Sequence, residues 1–287
     1  MDDYINIPPE EIGKNSKIAI ELAETESDAY WQIVFELCDL IKENNAKNED
    51  TVMIIPFGPL GPLSRWVYLV NKYRISLKRC WFINMDEYLT PSLEYIDINH
   101  PLSFRGGINR LFYDLIDPEL NVPESQRFFP MPGDEGNILK IIEKCGKLDL
   151  CFGGIGINGH IAFNEPPEPG VPMTNEKFKQ LPTRVLKVSR ETILVNSMMN
   201  CGADFDAIPQ DCITVGMKEI FMAKKIRVAM ARDWQGAAIR KFLHGSPTYK
   251  FPCSLLQDHP DVKVYAARVT LQNITPFNRV YNKTHGQ

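Results

Sequence analysis

The sequence lacks an excess of positive charge: its 32 Lys and Arg residues stand against 36 Asp and Glu, for a formal net charge of -4. Electrostatic binding of nucleic acid needs a basic surface, and the aromatic residues are not interleaved with Lys and Arg runs as in a single-strand binder. The sequence also lacks an apolar run that could span a bilayer, and Met1 to Asn6 is acidic where a secretory signal is basic. These absences predict a cytoplasmic protein with no nucleic-acid partner and no membrane partner.

Closely spaced cysteine pairs are also missing. The seven cysteines are scattered, odd in number and nowhere spaced as C-x-x-C, which indicates neither a disulfide framework nor a zinc site. Cys80 and Cys151 lie inside apolar runs, where cysteine usually serves as a small core residue.

What the sequence does have is the composition of an ordinary globular protein, with 44% hydrophobic and 24% charged residues. A length of 287 residues suffices for one large α/β domain or two small ones. Because no linker and no repeat is visible, we expect a single α/β domain over residues 1–287, with a polar leader over about residues 1–16.

Strand-like and helix-like segments alternate along the chain. Period-two or continuous apolar runs predict strands at Lys17 to Leu22, Thr51 to Pro56, Arg79 to Asn84, Leu148 to Phe152, Arg184 to Val188, Cys212 to Val215, Lys225 to Ala231 and Val262 to Ala267. Helices are predicted after a cap at Ser27 or Asp28, from Pro62 or Leu63, and at Ser103 to Leu115, Asp134 to Lys144 and Trp234 to Leu243, with a polar loop over Asn44 to Asp50. This alternation predicts a three-layer, mainly parallel, Rossmann-like sheet with helices on both faces.

A glycine-rich segment directly follows the Leu148 to Phe152 run. Gly154-x-Gly156-x-x-Gly159 has the spacing of a dinucleotide-binding turn. That kind of site also needs a helix that begins at the third glycine. Prolines follow instead, and each removes an amide donor and disfavours helix in the preceding residue: Pro166, Pro167, Pro169 and Pro172. The segment is therefore better interpreted as a loop for acid/base chemistry around His160 than as a nucleotide site.

Carboxylates follow two of the predicted strands. Asp86 comes shortly after the Arg79 to Asn84 run, and Glu165 comes five residues after His160. The carboxyl ends of parallel strands share one edge of a sheet, so these groups can face one substrate. Taken singly, each has a structural interpretation, since Asp86 could form a turn or cap a helix, Glu165 could be a solvated loop residue, and a lone histidine is more often structural.

Together, Ile83-Asn84-Met85-Asp86-Glu87-Tyr88 and Gly-x-x-Gly-His160-Ile-Ala-Phe-Asn-Glu165-Pro form a paired signature. The chain resembles the glucosamine-6-phosphate deaminase/isomerase family, which belongs to a wider group that includes the 6-phosphogluconolactonases. Within that group the signature is similar to the deaminase branch, because the lactonases lack the Asn-Glu-Pro. The resemblance extends roughly from Lys17 to beyond Val262.

The resemblance implies ring opening and aldose-ketose isomerisation of glucosamine 6-phosphate with release of ammonia. It implies that His160 moves the protons of ring opening, that Glu165 and Asn158 support the imidazole, and that Asp86 is the base that acts on carbon. This chemistry calls for no metal and no cofactor. Family members often assemble as oligomers, so a homo-oligomer is expected as well.

Substrate binding is assigned by the same resemblance to a set of glycines and polar residues: Gly58, Gly61, Ser64, Glu87, Gly154, Gly156 and Gly159. Several family features are absent, however. Asn158 stands where the family usually has Asp, and the loop from Phe57 to Ser64 carries two prolines in place of amide and hydroxyl donors. The family's phosphate-binding Arg and Lys align with Met198 and Gln235.

These departures leave two alternatives open beside a glucosamine 6-phosphate deaminase. The same acid/base set could act on an unphosphorylated or different sugar, or the chain could be a sugar-binding regulatory homologue with impaired catalysis. Arg65 and Arg232 are the candidates to replace the lost cations.

Overall fold

The computed structural model describes residues 3–272 and 274. Within these residues the chain forms ten strands, which are β1 (Ala19–Ala23), β2 (Thr51–Ile55), β3 (Cys80–Asn84), β4 (Asp86–Leu89), β5 (Arg127–Phe128), β6 (Leu150–Gly154), β7 (Arg184–Lys187), β8 (Asp211–Thr214), β9 (Lys225–Met230) and β10 (Val262–Ala267). The α-helices are α1 (Glu26–Ala46), α2 (Gly61–Lys72), α3 (Phe104–Leu111), α4 (Asn137–Cys145), α5 (Asn175–Lys179), α6 (Arg190–Asn200), α7 (Met217–Phe221) and α8 (Gly236–His244). None of the helices in this part of the chain has the length and apolar character needed to cross a membrane.

Seven strands form one sheet in the order β1-β10-β9-β6-β2-β3-β5, and every pairing in it is parallel. Both faces are covered: Val52 and Ile54 of β2 pack into one hydrophobic cluster, and Met53 and Ile55 pack into another. Helices α1 and α2 contribute to the second cluster, and α4 and α8 contribute to the first. The predicted three-layer, mainly parallel α/β fold is confirmed.

Helix α1 differs from its predicted bounds at both ends. Its cap is Thr25, whose hydroxyl accepts the Asp28 amide while the Asp28 carboxylate accepts the Thr25 amide. At the other end the helix continues into the predicted loop, because Asn44 is buried and donates to the Thr51 hydroxyl at 3.0 Å. Asn45 donates to the Ser76 carbonyl oxygen at 2.8 Å. Polar residues that look like a loop in the sequence are satisfied here by tertiary partners.

A second sheet of three antiparallel strands, in the order β4-β8-β7, lies beside the first. The Arg184 and Cys212 segments are thus strands, as predicted, but they belong to an antiparallel sheet that the sequence did not indicate. Only Met85 separates β3 from β4, whereas a parallel neighbour needs a crossover of about a dozen residues. The chain instead turns out of the large sheet, and the small sheet packs around its own cluster, which includes Tyr88, Phe163 and Cys212.

Candidate active site

A cavity of about 420 Å³ lies where β2, β3, β6 and β9 end. This is the shared edge at which open parallel sheets usually bind ligands. Its wall includes five of the residues predicted from the sequence, which are Gly58, Asp86, Gly154, Gly156 and His160. The expectation that these strand ends bring Asp86 and His160 to one place therefore agrees with the structure.

The glycines of the loop let the His160 ring pack closely against the backbone. A Cβ on Gly156 would lie 2.0 Å from the ring, and Gly159 has a φ of +82° that only glycine adopts readily. The loop closes through the Gly156 amide, which donates to the His160 carbonyl oxygen at 3.0 Å. No helix begins at Gly159; the next one along the chain is α5. The loop therefore shapes a histidine site and lacks the helix that a dinucleotide site needs.

Three side chains surround Nδ1 of His160. Asn158 Oδ1 lies 2.8 Å from it, Thr192 Oγ1 3.2 Å and Glu165 Oε2 3.3 Å. Asn158 Nδ2 in turn donates to Glu165 Oε2 at 2.6 Å and to Ser189 Oγ at 2.9 Å. Because the amide and carboxylate oxygens are acceptors, this arrangement favours the proton on Nδ1 and leaves the Nε2 lone pair to take up a proton.

Glu165 is ionised in this arrangement. Burial raises the pKa of this carboxyl, but the charge of His160 and hydrogen bonds from His160, Asn158 and Thr192 outweigh it and lower the pKa to about 2. A buried carboxylate next to Nδ1 stabilises the imidazolium that forms when Nε2 accepts a proton. Asn158 holds that carboxylate with its amide group and adds no charge of its own.

Asp86 is the first residue of β4, not a turn or a cap, and its backbone pairs with Thr214 of β8. Burial, together with the neighbouring Glu87, raises the pKa of the Asp86 carboxyl to about 8. The Thr214 hydroxyl accepts the Phe163 amide at 3.0 Å. The strand that carries Asp86 is thereby connected, through β8, to the loop that carries His160.

Glu87 does not line the cavity, so the structure does not support its predicted contact with substrate. It is fully buried, and its carboxylate accepts the Ser103 hydroxyl at 2.8 Å and the Phe104 and Arg105 amides at 2.9 and 2.8 Å. These partners are at the N-terminus of α3, where exposed amides favour a negative charge. Glu87 fixes β4 to α3 directly beside Asp86.

Gly61, Ser64 and Gly159 are also outside the cavity wall. A Cβ on Gly61 would lie 2.3 Å from the Tyr30 ring, and one on Gly159 would lie 2.6 Å from the Phe251 ring. Both glycines are therefore explained by close packing. Ser64 lies at a separate depression with Trp31, Arg65 and Tyr68.

The two residues of this chain that align with the family's phosphate-binding Arg and Lys carry no positive charge. Met198 is 64% exposed and is not part of the cavity wall, to which α6 contributes Asn196, Met199 and Asn200. Gln235 is buried at the wall, where Nε2 donates to the Ile155 carbonyl oxygen at 2.8 Å and Oε1 accepts the Arg232 amide at 2.9 Å.

No protein-family model matches the chain. A glucosamine-6-phosphate deaminase of Mycoplasmopsis pulmonis is 30% identical over 239 residues, which cover 79% of this chain and 88% of the relative. The chain belongs to the glucosamine-6-phosphate deaminase family. The family member from Mycoplasma mycoides is 28% identical over 250 residues, which cover 85% of this chain and 94% of the relative. The resemblance drawn from the two motifs is confirmed.

Solved structures of related proteins share the fold. A monomeric glucosamine-6-phosphate deaminase of the NagB superfamily has a TM-score of 0.77 at 24% identity, covering 90% of this chain and all of its own. A 6-phosphogluconolactonase from Plasmodium vivax has a TM-score of 0.63 at 16% identity and covers 94% of this chain and 95% of its own. The α/β architecture is thus common to this deaminase family and to the lactonases.

Sequence reasoning missed the contribution of α6 and the residues before it. Thr192 reaches His160, Ser189 reaches Asn158, and Asn196 donates to the Tyr88 hydroxyl at 2.8 Å. The available signal was a helix start, since Ser189 caps α6 by accepting the Thr192 amide. Among the described residues, no group of three or more His, Cys, Asp or Glu side chains is placed to hold a metal ion.

Proposed function

We propose that the protein is a deaminase/isomerase that converts glucosamine 6-phosphate to the ketose phosphate and ammonia. One observation supports this most directly: a buried carboxyl, Asp86, and an imidazole held through Nδ1, His160, line the same cavity. The family membership of the chain supports the same reaction.

Ring opening is the step for His160. Its Nε2 takes the proton of the C1 hydroxyl and returns a proton to the ring oxygen, so that the C1-O5 bond breaks and an aldehyde forms. The anionic Glu165 stabilises the transient imidazolium. Asn158 and Thr192 keep the ring in one orientation through their contacts with Nδ1.

Isomerisation is the step for Asp86. Its carboxylate removes the proton from C2 and delivers it to C1, while O1 gains a proton and the amino nitrogen gives one up, so that the 2-amino aldehyde becomes a 2-imino compound with a C1 hydroxyl. Water then adds to C2 and ammonia leaves, giving the ketone. Burial raises the pKa of Asp86 to about 8, and this raised basicity suits proton abstraction from carbon.

Ammonia release from glucosamine 6-phosphate, with appearance of fructose 6-phosphate, tests the proposal. We expect turnover by the wild-type protein, loss of at least 100-fold in Asp86→Asn and in His160→Gln, and a rate that rises with pH through about 8 as Asp86 ionises. Asp149→Asn is the matched control, because Asp149 is also buried but does not line the cavity. Sugar binding by a wild-type protein with no ammonia release would contradict the proposal and favour the regulatory alternative.

Three further expectations stay predictions. These are a cytoplasmic location, a single domain over the whole chain and a homo-oligomer; the solved monomeric deaminase shows that one similar protein is a monomer. Light scattering on the purified protein measures the assembly state directly.

A further inference from the structure

We propose that Arg232 recognises the anionic group of the substrate, and that Glu26 is the counter-ion the substrate displaces. This inference rests on the proposed function and names the residue that confers specificity for a phosphorylated sugar. Within the described residues, Arg232 is the single Arg or Lys side chain in the wall of the cavity.

The ion pair between Arg232 and Glu26 is one that a phosphate group can replace. Arg232 Nη1 lies 3.1 Å from Glu26 Oε1, and both side chains are 38% exposed. An ion pair that exposed contributes little to stability because water screens it. A phosphate dianion offers twice the charge and three acceptor oxygens to the same planar guanidinium, so it competes well against one carboxylate.

The backbone of Arg232 is held in place, although its guanidinium can change its partner from Glu26 to a phosphate group. The Arg232 amide donates to Gln235 Oε1 at 2.9 Å, and Gln235 Nε2 donates to the Ile155 carbonyl oxygen at 2.8 Å. Ile155 directly follows β6 and starts the loop that carries His160. Gln235 therefore sets the distance between the cation and the histidine, although it carries no charge itself.

Other groups near the cavity are poorly suited to hold an anion. Pro59 and Pro62 have no amide hydrogen to donate, in the loop where the family has donors. Arg65 does not line the cavity and is already engaged, since it donates to the Gly61 carbonyl oxygen at 2.7 Å and to the Ser27 hydroxyl at 2.9 Å. Its guanidinium also lies 5.5 Å from the centre of the Trp31 ring. Anion recognition thus falls to Arg232.

Steady-state kinetics with glucosamine 6-phosphate and with glucosamine separate recognition from chemistry. We expect Arg232→Ala to raise KM for the phosphorylated sugar about 10- to 100-fold, as loss of a charge-assisted contact does, and to leave KM for glucosamine unchanged. Glu26→Gln should lower KM for the phosphorylated sugar a few-fold, because the competing carboxylate is removed. Arg65→Ala is the matched control and should leave both constants unchanged, with thermal unfolding used to verify that each variant is folded.

An unchanged KM for glucosamine 6-phosphate in Arg232→Ala would overturn the inference and leave the proposed function intact. A higher kcat/KM for glucosamine than for its 6-phosphate in the wild type would overturn both, because the cavity would then take an unphosphorylated sugar. If the wild type releases no ammonia from either sugar, the proposed function fails. Calorimetric binding of glucosamine 6-phosphate then decides: at least tenfold weaker binding by Arg232→Ala supports the inference, and equal or no binding by both proteins rejects it.

Discussion

Replacing Asp86 with Asn should abolish activity and at the same time make the protein more stable at neutral pH. The pKa of the Asp86 carboxyl is raised from 3.8 to about 8, chiefly because burial disfavours the charged form. At pH 7 the Asp86 carboxyl is ionised in the unfolded chain, so folding must bind a proton to it. Asparagine has a similar shape and no such cost.

The magnitude follows from the difference between the two pKa values. Below about pH 4 the carboxyl is protonated in both states and costs nothing; between pH 4 and about 8 the unfolded chain ionises first, so stability falls as pH rises. Each pH unit in that window is worth about 1.4 kcal/mol. The advantage of Asp86→Asn should therefore grow by about 3 kcal/mol between pH 5 and pH 7 and reach about 4 kcal/mol at pH 7.

Guanidinium unfolding followed by tryptophan fluorescence at pH 5, 6 and 7 measures this difference. Asp149→Asn is again the control and should act in the opposite direction. Its carboxylate accepts the Val52 amide at 3.0 Å and contacts Lys147 and Lys224, each at 3.1 Å. Loss of these interactions should destabilise the fold by about 1 to 3 kcal/mol.

A stability difference between wild type and Asp86→Asn that is the same at pH 5 and pH 7 would refute this reasoning. It would mean that Asp86 has an ordinary pKa in the folded protein, so that its enhanced basicity could no longer be part of the mechanism. A variant that is both more stable and fully active would remove Asp86 from the chemistry altogether.

Three further changes address the groups around the two central residues. Glu165→Gln should lower kcat about tenfold or more. Because the pKa of Glu165 is lowered from 4.5 to about 2, its stabilising effect is present above pH 4.5 and is lost toward pH 2. The free energy of unfolding of the variant should therefore fall less steeply than that of the wild type as the pH is lowered from 4.5 to 2. Thr192→Val should reduce kcat a few-fold and Thr192→Ser should restore it, because only the hydroxyl reaches His160; an equal loss in both would contradict this role. Glu87→Gln should destabilise the fold by about 2 to 3 kcal/mol in a guanidinium titration, since it leaves the start of α3 without its charged acceptor, and unchanged stability would disprove that capping role.

The inner strands of the large sheet, such as β2, β6 and β9, could be predicted because they are buried and appear as nearly continuous apolar runs. The edge strand β5 was missed because it is only two residues long. The small sheet could not be placed, since an antiparallel strand and a parallel one look alike when each is only four residues long. What decides between them is the length of the connection, and the charged Asp86 and Glu87 gave no indication in the sequence that β4 begins one residue after β3. The end of α1 was missed because tertiary hydrogen bonds from Asn44 and Asn45 outweigh local preference.

At the site, the sequence motifs predicted the residues that carry the chemistry. They did not predict the residues from other parts of the chain that contact them. Asp86 and His160 stand in recognisable segments, whereas Thr192 and Arg232 contact partners that are distant in the sequence. The opposite error concerns Glu87, which belongs to the motif yet binds α3. A motif residue can be needed for the fold around a site without facing the substrate.

Thr214 connects Asp86 to the loop that carries His160, and this connection affects how the substrate specificity of the cavity can change in evolution. One wall, with Asp86, β8 and the histidine loop, is cross-linked by backbone pairing and by the Thr214 hydroxyl, so a shift in one part moves the others with it. The segment around Pro59 and the Arg232 side chain also line the cavity but lie outside that pairing. Mutations at these positions can therefore change which sugar is admitted, while the groups that move protons keep their mutual positions.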